Sequence, residues 1–399
     1  MKDRIAFEGR FGAHNYHPLP IMLERGEGVW LWDIEGKRYL DLMSAYSAVS
    51  HGHTHPRLLK ALTEQAGKLA ITSRAFYSDK LGPFLARLCE VAGLDRALPM
   101  NTGAEAVETA IKAARRWGYR IKGIPKDRAE IIVASGNFHG RTTTIVSFSS
   151  TDYYKDGFGP LTPGFITVPF GDAAALAAAI TPNTCAVLLE PIQGEAGIIV
   201  PPDGYLKAVR TTCDREAVLL IIDEIQSGLG RTGKMFAFQH EGIVPDGITV
   251  GKALGGGMLP VSAFVARNEV MDSFVPGNHG STFGGNPLAA AVGLEALQVL
   301  EDEHLVERSA AQGAYLLKEL SRIQSPAIRE VRGKGLWIGL ELDPEYVQAR
   351  AVAEALLERG ILAKETHETV LRIAPPLIIE RAEIDMAVGT IEEVLRELG

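Results

Sequence analysis

"VLLIIDEIQSGLGRTG", residues 218–233, is the stretch on which the fold turns. A continuously apolar run ends in two carboxylates, Asp223 and Glu224, and a glycine-rich turn follows. A strand that is apolar on both faces needs cover on both, as in a parallel sheet between layers of helices. Similar strand-like runs recur at "RALPM" (96–100), "EIIVAS" (130–135), "FITVPF" (165–170), "CAVLLEP" (185–191), "GITVGK" (247–252) and "VSAFVA" (261–266). Helical patterns lie between many of them, at 104–117 and 203–216 among others. Alternation of this kind predicts an α/β fold with a mostly parallel sheet flanked by helices.

The texture changes after Asn286-Pro287. A long helical stretch over about 287–322 precedes "IREVRGKGLWIGLEL" (328–342), a helix near 346–359, two short strands and a final helix from about 380. Near the start, "GVWLWDIEGKRYLDLM" (28–43) reads as two strands around a turn at Glu35-Gly36. The expected organisation is a large domain over 52–286 and a smaller, discontinuous α+β domain from 1–51 plus 287–399.

Bulk composition is that of a globular protein: 399 residues, 46% hydrophobic, 23% charged. A net charge of −8 argues against nucleic acid or an anionic membrane as the main partner. The start, "MKDRIAFEGRFGAHNY", has neither a secretory apolar core nor the acid-poor texture of an organelle transit peptide. Cys89, Cys185 and Cys213 are scattered and odd in number, which suits reduced thiols in the cytoplasm.

Three motifs invite other readings. Gly228-Leu-Gly230-Arg-Thr-Gly233 matches GxGxxG, but "DEIQS" separates it from the strand, and "KMFAFQHEGIVPD" is a poor helix, so a dinucleotide site is disfavoured. "GKALGGG" (251–257) has its glycines after the lysine and Ala253 where a phosphate loop needs Ser or Thr. His51, His53 and His55 have no Cys or acid cluster beside them to complete a metal shell, and a polar loop ahead of a helix starting near Pro56 is the preferred reading.

Lys252 and Asp223 remain. Lys252 ends an apolar strand, where partial desolvation lowers a lysine's pKa and equips it to form a Schiff base. Position alone leaves a snorkelling or salt-bridged lysine equally open. Asp223 also ends a buried strand, and ligands of open α/β sheets bind at such carboxyl ends. A lysine for the aldehyde and an acid for the ring nitrogen are what pyridoxal phosphate (PLP) requires. A phosphate could sit where "MNTGAEAVETAIKAARRW" (100–117) opens a helix, with Thr102 and Glu105 at capping-box spacing and the N–H groups of Gly103 and Ala104 turned outward.

Taken in order, "NYHPLP" (15–20), "SAYSAVSHGHTHP" (44–56), "TSRAFY" (72–77), "PMNTGAEAVETA" (99–110), "GNFHGRT" (136–142), "EPIQGEAG" (190–197), "LIIDEIQSGLGRTG" (220–233), "GKALGGG", "HGSTFGGNP" (279–287) and "LRIAPPL" (371–377) resemble the class III, ornithine-type PLP aminotransferases over nearly the whole chain. The resemblance implies the fold-type I architecture of PLP-dependent transferases and a homodimer with shared active sites. It assigns Lys252 to the cofactor aldehyde, Asp223 to the pyridine nitrogen, Phe138 to ring stacking and Gln226 to the phenolic oxygen. Gly103 and Ala104 would hold the phosphate, joined by Thr282 from the partner subunit.

The same resemblance implies transfer of the δ-amino group of L-ornithine to 2-oxoglutarate, giving glutamate-5-semialdehyde and glutamate. Presenting the distal amine requires the α-carboxylate to be held far from the cofactor. Arg141 can grip it bidentately, with Tyr46 and Tyr77 lining that end. Arg372 would take the dicarboxylate, and Glu195 would mask it while ornithine is bound. Two departures from the pattern stand out: His139, where some relatives have tryptophan, and Gly247 inside a buried strand. Alternative readings are a class III aminotransferase for N-acetylornithine, 4-aminobutyrate or N-blocked lysine, a class III racemase, and, from another class, a nucleotide-binding module built on 228–233.

Overall fold

Fifteen strands occur in chain order in the computed structural model, which describes residues 1–398. They are β1 (Leu23–Glu27), β2 (Trp30–Asp33), β3 (Arg38–Asp41), β4 (Arg96–Met100), β5 (Glu130–Ala134), β6 (Phe165–Val168), β7 (Thr184–Leu189), β8 (Leu219–Asp223), β9 (Gly247–Val250), β10 (Ser262–Ala266), β11 (Ile328–Gly333), β12 (Ile338–Leu342), β13 (Ile361–Leu362), β14 (Lys364–Thr366) and β15 (Val370–Ile373). The seven apolar runs of the sequence are β4 to β10, and all join one seven-stranded sheet in the order β4-β10-β9-β8-β7-β5-β6. Only β10 runs against its neighbours, pairing antiparallel with both β4 and β9. Every residue of β7, β8, β9 and β10 is buried, as continuous apolarity requires of strands covered on both faces. Gly247 has a packing reason: a Cβ there would stand 2.7 Å from the ring of Phe264 on β10.

The helix Gly103–Trp117 shows how local sequence sets position. Thr102 and Glu105 form a reciprocal capping box, and Val107, Ala110, Ile111 and Ala114 are buried against the sheet. The chain ends interleave around a second sheet, β1-β2-β3-β13, where β3 from the N-terminal segment pairs in parallel with β13 from the C-terminal one. A third sheet, β11-β12-β15-β14, is antiparallel throughout.

Several expectations need correction. The long helical stretch is two helices, Pro287–Asp302 and Leu305–Leu320, broken where His304 takes a left-handed φ of 52°. Three short strands, not two, precede the last helix, Arg381–Leu398. The strand β1 has no counterpart in the sequence reading, because "LERGE" is a largely exposed edge strand without apolar alternation.

The glycine-rich turn at 228–233 opens no helix and instead packs against the C-terminal part of the chain. Gly233, at φ 83°, lies where a Cβ would come within 2.9 Å of Ala310 in the helix Leu305–Leu320. Between the glycines, Arg231 is fully buried. Its guanidinium donates to the carbonyls of Leu336 (2.9 Å) and Pro375 (2.6 Å) and to Ser50 Oγ (3.0 Å). One cation thus joins the N-terminal segment, the β11–β12 turn and the segment after β15. Arg231→Met is expected to leave three buried acceptors unpaired and to cost about 3 kcal/mol or more, read as a lowered thermal unfolding midpoint. Arg231→Lys should recover part of the loss, and an unchanged midpoint in both variants would show that the acceptors find other partners.

Candidate active site

The parallel register that pairs Asp223 of β8 with Thr249 of β9 brings Asp223 and Lys252 to the same edge of the sheet. Both line one cavity of about 200 Å³ with Gly103, Ala104, Phe138, His139, Gly140, Glu190, Ile192, Ile225, Gln226 and Ser227. Lys252 sits two residues past the end of β9 in a left-handed conformation, φ 46°. A non-glycine residue there is strained, and such strain collects at functional positions. Burial drives the Lys252 ammonium down to about 8; Arg372 adds to the shift, while Glu195, Asp223 and Glu190 oppose it. A lysine with that value has a reactive neutral fraction near neutral pH.

The two acids that end β8 part company. Asp223 faces the cavity floor, and its Oδ2 lies 2.6 Å from His139 Nδ1. Both groups are buried. Burial works to lower the His139 pKa, but the hydrogen bond to Asp223 and the charges of Asp223 and Glu190 outweigh it and raise it above the ordinary value. Glu224 turns away, accepting from Ser227 Oγ at 2.6 Å and from the Phe238 N–H at 2.9 Å, and so braces the loop. Burial raises its carboxyl to about 7.

The rim of the cavity suits an anion and a ring. Among the described residues the N–H groups of Gly103 and Ala104 make no hydrogen bond, and both open the fifteen-residue helix Gly103–Trp117. Gln226 Nε2 is buried without a partner while lining the cavity. An unpaired buried amide beside free helix-start donors fits a bound group with a phosphate and a polar ring substituent. Phe138, half-buried, forms part of the wall.

A second group sits beside Lys252. Arg372, 2% exposed on β15, pairs through Nη2 with Glu195 Oε1 at 3.0 Å, and its guanidinium lies 5.1 Å from the ring centre of Tyr46. Burial tends to raise the Glu195 pKa, but the charges of Arg372 and Lys252 prevail and hold it below its ordinary value. Tyr46 belongs to an unusual turn in which Ser44, Ala45, Tyr46 and Ser47 all have positive φ, pinned by Asp41 Oδ1, which accepts from the N–H groups of Met43 and Ser44. Arg141 is exposed, 4.4 Å from the ring centre of Tyr154 and 5.7 Å from that of Phe138, on a neighbouring cavity of about 390 Å³.

Of the residues singled out from sequence, Lys252, Asp223, Gly103, Ala104, Phe138 and Gln226 share the cavity, and Tyr46, Glu195 and Arg372 form the adjoining group. Tyr77 and Thr282 are exposed and reach neither within one chain. Glu190 shows in the sequence only as a strand-terminal acid, and His139 only as a departure from the family pattern; that His139 partners Asp223 emerges from the fold. The three clustered histidines diverge: His51 meets the Ala296 carbonyl, His53 Asp41 and His55 Glu303. With a small aromatic aldehyde and borohydride, covalent labelling at Lys252 is expected to rise through pH about 8, and Lys252→Ala should abolish it. Peptide mapping checks this, and a midpoint above pH 10 would contradict the lowered value.

Comparison with known proteins points one way. An ornithine aminotransferase from Brevibacillus brevis is 57% identical over 386 residues, 97% of this chain and 96% of its own length. One from Bacillus subtilis is 55% identical over 395 residues, 99% of this chain and 98% of its own. Among solved structures, the ornithine aminotransferase of Toxoplasma gondii ME49 superposes with a TM-score of 0.98 at 44% identity, covering 99% of this chain and 95% of its own. The Toxoplasma gondii enzyme crystallized with oxidized glutathione has partial occupancy of PLP at its active site. An acetylornithine aminotransferase from Elizabethkingia anophelis superposes with a TM-score of 0.90 at 46% identity over 99% of both chains. A model of the class-III aminotransferases matches residues 11–395, and with the near-full-length relatives it establishes that this chain belongs to the class-III aminotransferase family.

Proposed function

We propose that this protein is a PLP-dependent aminotransferase that moves the δ-amino group of L-ornithine to 2-oxoglutarate. When bound, PLP supplies an electron sink for the charge left as a proton leaves the amine-bearing carbon. Lys252 Nζ holds the cofactor at rest and carries that proton, a task its value of about 8 favours. Asp223, oriented by His139, would pair with the ring nitrogen. Gln226 would take the phenolic oxygen, Phe138 would stack on the ring, and Gly103 and Ala104 would hold the phosphate.

The observation that carries the substrate reading is the 3.0 Å pair between Arg372 and Glu195 beside Lys252. A free arginine there would grip the α-carboxylate of ornithine and present its α-amine to the chemistry. Paired, Arg372 is withheld, and the δ-amine can enter with the α-carboxylate turned toward Arg141 and Tyr46. 2-Oxoglutarate, whose carboxylate adjoins the reacting carbon, takes Arg372 once Glu195 withdraws. The high identity to proteins named ornithine aminotransferase supports the same choice. Relatives that act on acetylornithine share the fold, so the distal wall of the site decides between donors.

We also infer a homodimer in which Tyr77 and Thr282 complete the partner's site. Phe76, Tyr77 and Phe283 are large, exposed and next to one another in sequence or next to Thr282, as an uncovered interface would leave them. Within each chain we propose a large cofactor domain over 52–286 and a small one from 1–51 plus 287–399, a division that the pairing of β3 with β13 supports. Three free cysteines suit a cytoplasmic location.

A half-reaction panel followed by cofactor absorbance tests the substrate. Ornithine is expected to react far faster than N-acetylornithine or 4-aminobutyrate, and a preference for either of the others reassigns the donor. Tyr77→Ile should lower kcat/KM for ornithine by roughly tenfold to a hundredfold and admit 4-aminobutyrate; an unchanged preference removes Tyr77 from the site.

A further inference from the structure

Glu190 lies just past the end of β7, 6% exposed, and lines the cavity without a part in the chemistry above. Its two carboxylate oxygens serve two loops. Oε2 accepts from the Phe138 N–H at 2.9 Å, and Oε1 accepts from the Gly194 N–H at 3.2 Å. The first bond anchors the segment that carries the stacking Phe138 and His139. The second closes the turn that leads directly into Glu195. Gln193 adds a parallel clasp, donating from Nε2 to the Ser135 carbonyl at 2.7 Å.

Gly194 is the narrow point of this arrangement. A Cβ there would lie 2.5 Å from Gln226 Oε1 and 2.8 Å from the Trp337 ring, so the backbone itself fills the space. Its carbonyl accepts from Arg372 Nη2 at 3.4 Å, while the next residue, Glu195, pairs with that same nitrogen. On the far side, the Glu195 carbonyl accepts from Thr366 Oγ1 at 2.7 Å. The turn at 190–195 is therefore held at its base by Glu190 and Gln193 and delivers both the carbonyl and the carboxylate that occupy Arg372.

We propose that Glu190 is a positioning residue that locks the Phe138 loop and the Glu195 turn together and so sets how selectively Arg372 is withheld from the amino donor. The inference rests on the aminotransferase reading above and adds a determinant of which amine reacts. With both oxygens accepting from backbone N–H groups, the ionised carboxylate suits the task because it has two acceptor oxygens and no donor. Glutamine fills the same space but must turn an NH₂ toward one of the two backbone N–H groups, which breaks one clasp.

The test uses purified holoenzyme of the wild type, Glu190→Gln and Gln193→Leu. Single-turnover absorbance gives the half-reaction constants for L-ornithine and L-glutamate, and product analysis gives the ratio of δ- to α-transamination of ornithine. In Glu190→Gln the δ/α ratio is expected to fall roughly tenfold, within the range over which binding geometry discriminates substrates, while the glutamate half-reaction changes less than about threefold. Gln193→Leu, which keeps Glu190 intact, should shift the ratio in the same direction by a smaller factor, and it serves alone if the Glu190 variant does not fold. Equal losses in both half-reactions with an unchanged δ/α ratio would reduce Glu190 to general structural support and overturn the proposal, as would no change at all. If the wild type ignores ornithine, the substrate reading fails instead, and Glu190 is then judged on the ratio between glutamate and the ω-amino donor that does react.

Discussion

The parallel register between β8 and β9 is the constraint from which the site follows. Pairing Asp223 with Thr249 puts the acid at the end of one strand and Lys252 just beyond the end of the next. A one-residue slip would turn every side chain of the strand to the opposite face. Complete burial of β8 and β9 between helical layers forbids that slip less by alternation than by packing, since both faces are apolar. The packing is specific. Gly247 accepts the Phe264 ring of β10, and Asp246, just before β9, accepts from the Leu220 N–H and pairs with Arg210 at 2.7 Å.

Around that pair the charges alternate. His139 bonds to Asp223 and feels the charges of both Asp223 and Glu190, and Lys252 lies within the influence of Glu195, Arg372 and both floor acids. Each buried charge would be costly alone, but opposite partners and backbone donors offset the loss of water. The same balance makes the groups interdependent: Glu190 bears a carboxyl raised by burial to about 7 although His139 pulls the other way, so the ionisation of one floor group affects the others. A site built this way is tuned as a unit, and its geometry is transmitted through backbone N–H groups as much as through side chains.

The glycine-rich turn answers a different need. Gly230 and Gly233 allow close approach to Leu377, Val306 and Ala310, and Arg231 between them binds oxygens from three separate parts of the chain. Burial brings its guanidinium down to about 9, with Asp41 opposing. A motif that imitates a dinucleotide fingerprint is in this fold a seam between the central sheet and the C-terminal segments, and those segments carry Arg372.

Periodicity and end residues alone determined much of this molecule. Seven strand-like runs predicted the seven strands of the central sheet, and in the most continuously apolar of them, such as β7 and β8, every residue is buried, because a run without polar positions has no wet face to occupy. Thr102 and Glu105 announced a helix start, because capping is a local interaction across four residues. Asp223 and Lys252 were legible as strand-terminal groups, whereas Phe138, Gln226, Glu195 and Arg372 drew attention only through the resemblance to the class III family. The tertiary structure decided the rest. The pairing of His139 with Asp223 spans 84 residues, that of Arg231 with Ser50 spans 181, and Glu190 meets the Phe138 N–H across 52. No local pattern encodes such contacts, since they arise only when separate strands end at a common edge. The edge strand β1 left no mark in the sequence because it is largely exposed and lacks apolar alternation, and nothing in the residue pattern of 44–47 announces four successive positive φ angles.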